Sequence, residues 1–147
     1  MKKVIIIGVV FVLLVIVGCG YTDVINPKKL VPDKCLVEPP IGVCYEYIMD
    51  SDKDYVKILL RNGGFAVDVQ SITAQVGSTG CDSIPVVEGE TGLNFRWYNE
   101  EIIEITWSGC DRLVAGEKGK FTFDIEFIEE GKTYAHIYSG EITSTIE

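Results

Sequence analysis

The sequence predicts an all-β protein, an antiparallel sandwich of about seven or eight strands, preceded by one N-terminal hydrophobic helix. Three observations carry this. A single long apolar run stands at the front; short segments alternating apolar and polar residues fill the rest; and turn-forming residues separate them every ~8 to 14 residues. Beyond the front run, no stretch has the three-and-four apolar spacing of an amphipathic helix.

Residues 4 to 21, VIIIGVVFVLLVIVGCGY, contain no charged side chain. At about 1.5 Å per residue this run spans roughly 27 Å, close to the thickness of a hydrocarbon core of about 30 Å. Lys2 and Lys3 precede it and Asp23 is the first acid after it. Lysines held inside place everything beyond Tyr21 outside the membrane. The expected organisation is a hydrophobic helix over 1–21, a proline-rich stalk over 22–42 and an extracytoplasmic sandwich over 43–147. Cys19 has three readings. It ends an uncleaved single-pass helix, or it takes a lipid, since Ile16-Val17-Gly18-Cys19 fits a bacterial lipobox, or Gly18-Cys19-Gly20 marks a cleavage site. The uncleaved anchor is the preferred reading.

Lys2 and Lys3 account for two of the 13 basic residues, so the exported part sets eleven bases against 22 acids, about −11. Such a balance repels phosphate backbones and anionic headgroups, which argues against nucleic-acid binding and polybasic docking. Apart from Cys19 there are four cysteines: Cys35, Cys44, Cys81 and Cys110. An even number in an exported domain reads as two disulfides, with three connectivities open. Pairing of near neighbours, Cys35–Cys44 and Cys81–Cys110, needs the least rearrangement of consecutive strands and is favoured. A zinc site is the weaker reading, because no C-x-x-C pair is present and His136 is the single histidine.

The segment between anchor and sandwich, TDVINPKKLVPDKCLVEPPIGVC, holds four of the five prolines, and proline removes backbone donors and restricts its predecessor. In DYVKILLR, Val56, Ile58 and Leu60 recur with a strand's period of two. Asn62-Gly63-Gly64 then signals a hairpin, returning through Phe65, Val67 and Val69. The apolar phase next moves to Ile72, Ala74 and Val76, which predicts a bulge near Ser71. LNFRWYN and EIIEITW come next, the second alternating at Ile103, Ile105 and Trp107. KFTFDIEFI places Phe121, Phe123, Ile125 and Phe127 on one face, Glu129 to Lys132 turn the chain, and TYAHIYSGEITSTI returns, with Gly140 as a bulge or bend.

Candidate chemistry is sparse. DSDKD, residues 50 to 54, opens like a calcium loop, but Tyr55 and Arg61 stand where glycine and a bidentate glutamate are required, so it reads as a turn. No serine or cysteine has a nucleophile context such as G-x-S-x-G. No catalytic residue, metal ligand or cofactor is expected. Trp97, Tyr98 and Tyr134 are candidates for stacking on a glycan or protein, and Tyr134, His136 and Tyr138 for a polar-aromatic stripe that contacts a partner. A buried place in the sandwich is the competing reading for both tryptophans, and the favoured one for Trp107.

From Tyr21 onward the order of features resembles archaeal type IV pilin-like proteins. The matching pieces are an aromatic at the helix exit (Tyr21), INPKKLVPDKC, PPIGVCYEY, then VKILLRNGGFAVDVQSI, the cysteine of WSGC, and GEKGKFTFDIEFIEEGKTYAHIYSGEITSTIE. The resemblance implies an extracytoplasmic Ig-like sandwich at a cell surface, held by its helix and contacting other pilin-like subunits or surface proteins. The chain departs from the family at the front, where no glutamate stands within the apolar run.

Overall fold

Alternation of period two builds nine strands in the computed structural model, which describes residues 31–39, 42–75, 79–90 and 94–147. The expected anchor, Cys19 and the first part of the stalk lie outside these residues. Among the described residues no helix is long and apolar enough to cross a membrane.

Residues from Pro32 to Glu147 form one unit. Its strands are β1 (Lys34–Val37), β2 (Val43–Asp50), β3 (Tyr55–Arg61), β4 (Val67–Ala74), β5 (Val86–Val87), β6 (Phe95–Trp97), β7 (Ile102–Trp107), β8 (Lys118–Glu129) and β9 (Ala135–Thr145). They make two antiparallel sheets, ordered β1-β9-β8-β4-β6 and β2-β3-β7-β5. Both sheets turn their apolar positions inward. Val56, Ile58 and Leu60 of β3 meet Ile103, Ile105 and Trp107 of β7 on one side; Phe121, Phe123, Ile125 and Phe127 of β8 supply the other. Trp107 packs edge-on to Phe121 with ring centroids 4.7 Å apart and lies 5.2 Å from Phe123.

Four sequence expectations change here. Within the expected stalk, Lys34 to Val37 belong to the sandwich, pairing with Thr143 to Gly140 as an edge strand. An edge tolerates the flanking prolines, because only one side of the strand must donate. With β1 and the two-residue β5 the described strands number nine instead of seven or eight.

Asn62-Gly63-Gly64 does not close a hairpin, since β3 and β4 belong to different sheets and the turn arches between them. Asn62 is fully buried and holds this arch. Its Nδ2 donates to Phe65 O (2.8 Å) and Trp97 O (3.1 Å), and its Oδ1 accepts from Gly64 N (3.0 Å). Its backbone N–H donates to Glu101 O and its carbonyl accepts from Glu100 N.

Gly140 is not a bulge, for β8 and β9 keep register throughout. A Cβ there would lie 2.2 Å from Phe123 Cζ, so the missing side chain makes room for a core ring. The bulge expected near Ser71 is present, as a register shift between Val69 and Ser71 against β8.

Two disulfides join the layers. Cys35 in β1 is bonded to Cys44 in β2, and Cys81, after β4, to Cys110, after β7. The C-terminal residue adds a third tie. Glu147 N donates to Met49 O, and Glu147 O accepts from Ser51 N at 2.8 Å. The DSDKD segment is a turn between β2 and β3, with Asp50 Oδ1 accepting from Asp52 N and Lys53 N at 3.0 Å each.

Candidate functional site

The β8–β9 hairpin decides where the aromatic candidates lie. His136 stands opposite Phe127 and Tyr138 opposite Ile125, and both partners are fully buried. Alternate residues of a strand share a face, so Tyr134, His136 and Tyr138 continue the inward face of β9 towards the hairpin turn. The row is contiguous. Ring centroids are 4.9 Å apart for Tyr134 and His136 and 6.4 Å for His136 and Tyr138. Phe127 lies under it, 5.7 Å from His136 and edge-on to Tyr138 at 4.9 Å. Exposure grades along the row: Tyr134 is exposed, while His136 and Tyr138 are half-buried. The expected stripe is present as a rim where the core runs out.

His136 Nε2 is buried without a hydrogen-bond partner, and the nearest acid, Glu129, has Oε1 at 3.6 Å. Beyond the row, Ile137 points to the opposite face, stands opposite Glu126 and is 64% exposed.

The other aromatic candidates separate from this row. Trp97 is a correction: its ring has no exposed surface, and its Nε1 donates to Glu101 O at 3.0 Å. It opposes Val67 on the inward face and cannot contact a partner. Tyr98, one residue on, is exposed. It lies beside Arg96, whose guanidinium sits 5.8 Å from the Tyr98 ring centroid. Arg96 holds Glu130 at 2.8 Å and Asp68 at 3.3 Å, and hydrogen bonding to Glu130 raises its pKa further. Tyr98 comes directly after β6, at the far edge of the five-stranded sheet from β1 and β9. The structure therefore does not gather Trp97, Tyr98 and Tyr134 into one surface.

The outer face of the five-stranded sheet is polar and cross-linked. Glu141 bonds Lys120 (2.7 Å) and Lys34 (2.8 Å), and these two ammonium groups lower its pKa. Asp124 accepts from Gln75 Nε2 and from Ser139 Oγ (2.6 Å). A shallow depression of about 320 Å³ lies among Leu36, Glu38, Thr122, Ser139 and Gly140. Among the described residues, no group of three or more His, Cys, Asp or Glu side chains could hold a metal ion.

What sequence reading missed is Ile137 and the backbone beside it. The available signal was the sequence Pro39-Pro40, two residues without N–H groups to donate to a ladder; β1 pairs with β9 as far as Val37. Comparison with protein-family models, with curated proteins and with solved structures gives no match for this chain.

Proposed function

We propose that this is a non-enzymatic, membrane-anchored protein of the cell surface, pilin-like in design, whose Ig-like sandwich serves as a structural or adhesive contact module. The observation that carries the reading is the pair of disulfides tying the two sheets, in a chain whose front is an uncharged apolar run behind Lys2 and Lys3. Disulfides persist in oxidising compartments, and the lysines favour export of the chain beyond Tyr21. The contact surface on this reading is the β9 rim of Tyr134, His136 and Tyr138.

The test is the intact mass of the full chain extracted from membranes, before and after reduction and alkylation. The expected result is an unprocessed chain in which Cys19 alkylates without reductant and four cysteines alkylate only after it. A mass beginning at Cys19 with added lipid would instead make the protein a surface lipoprotein. Five thiols free without reductant would overturn export. Electron microscopy of shed surface filaments checks assembly, and filaments consistently lacking the protein would remove the filament role while leaving the anchored module.

A further inference from the structure

Most sheet margins in this protein are blunted. β5 has two residues and β6 three, β1 stops before Pro39, and β2 carries a bulge between Cys44 and Glu46. Short strands, prolines and bulges are the usual means by which a sheet avoids pairing with another chain. The beginning of β9 has none of them.

Backbone groups along a strand alternate in direction. Ser139 O accepts from Glu38 N at 3.3 Å, and Thr145 N donates to Asp33 Oδ1 at 2.9 Å. Odd-numbered residues of β9 therefore turn their N–H and C=O groups towards the β1 side. β1 pairs only with Gly140 to Thr143. Ala135 and Ile137 thus offer donor and acceptor pairs to an edge on which no described residue meets them. Side chains on both faces suit an added strand. The half-buried rings of His136 and Tyr138 lie on one face; Ile137 and, further along, the depression at Leu36 and Ser139 lie on the other.

We infer that this edge binds an extended, basic peptide segment of a partner protein as an additional strand. The charge of the surroundings selects the partner. Glu126 stands opposite Ile137 and Asp124 opposite Ser139, with Glu38 and Glu129 at the ends of the edge. Of the bases in or beside the hairpin turn, Arg96 is engaged by Asp68 and Glu130, which leaves Lys132 against these acids. A second copy of this chain would bring like charge to like charge. The backbone groups of Ala135 and Ile137, which no described residue meets, favour a peptide over a glycan, which has no strand to pair. The inference goes beyond the proposed function and stands whether or not the chain is anchored.

The test is residue-resolved amide hydrogen exchange on the full chain in detergent micelles, with a short synthetic peptide of alternating lysine and valine as probe. The expected result is exchange at Ala135 and Ile137 slowed by about tenfold or more at saturation, and loss of this protection with a peptide N-methylated at every second residue. Ile137→Lys, on an exposed side chain, should weaken peptide binding about tenfold, the equivalent of ~1.4 kcal/mol, while leaving the melting temperature unchanged. Equal protection by the N-methylated peptide would overturn strand addition. Equal binding of a glutamate–valine peptide would overturn the basic partner. Protection at both residues without peptide, in a chain that sediments as a dimer, would assign the edge to a second copy instead.

Discussion

Asn62 shows how much a single buried amide holds. It satisfies the N–H of Gly64 and the carbonyl of Phe65 in its own turn and the carbonyl of Trp97 in a distant part of the chain. Replacing it with alanine leaves those groups buried without partners, at about 1–3 kcal/mol for each lost bond that water cannot replace. Asn62→Ala should lower unfolding free energy by ~2–4 kcal/mol, read as a shifted denaturant midpoint with unchanged slope. Gly140→Ala should cost about 1–3 kcal/mol through overpacking on Phe123, and Phe123→Leu in the same chain should recover part of it. Trp97→Ala should cost ~3–5 kcal/mol, whereas Tyr98→Ala and Tyr134→Ala should leave the melting temperature within a degree or two. At this scale sequence reading had mixed success. The inward residues of β3, β7 and β8 announce themselves by alternation. Asn62 and Gly140 look like ordinary turn and bend residues, because their roles depend on groups 35 residues away for the Asn62–Trp97 bond and on a ring across the strand for Gly140.

Elements fail to be legible where chain neighbours are not space neighbours. A turn signal says that the chain reverses but not whether the return strand pairs with the outgoing one. The arch from β3 to β4 and the hairpin from β8 to β9 carry similar residues, and they differ in which sheet lies open to receive the next strand. β1 was hidden by its prolines for a related reason: they exclude a central strand but not an edge one. The disulfides also act on elements, since each ties one sheet to the other. With separations of nine and 29 residues, restriction of the unfolded chain contributes about 2.7 and 3.6 kcal/mol. Cys81→Ser with Cys110→Ser should therefore destabilise by roughly a further 1 kcal/mol than Cys35→Ser with Cys44→Ser, measured by denaturation of the two double variants.

For the molecule as a whole, charge was the most legible property and sets the response to pH. The hydrogen bond from Lys118 lowers the pKa of Asp33, and Lys120 and Lys34 lower that of Glu141. At Asp50 desolvation opposes the charge, but bonds from Lys53 and the neighbouring backbone outweigh it and the pKa falls. A carboxylate held below its unfolded value stabilises the fold above that value, and this stabilisation disappears as pH falls through the folded one. Stability should thus be level near neutrality and drop below about pH 4, less steeply for Glu141→Gln, as a pH series of unfolding midpoints would show. Lys57, whose pKa Glu104 raises, gives the opposite dependence, lost only as pH rises past its unfolded value of about 10.5. The pairing of Cys35 with Cys44 has a mechanical meaning as well. Tension entering at Pro32 and leaving through the C-terminal end of β9 acts on the same end of their antiparallel ladder, where Lys34 stands opposite Thr143, and would peel β1 away pair by pair. It reaches a covalent bond at the second residue of that strand and passes directly to β2. The chain between Cys35 and Cys44, and that between Cys81 and Cys110, cannot be drawn out. A single oxidised molecule pulled from its ends should extend roughly 120 Å less than a reduced one, so the bonds make the domain a short, stiff link under load.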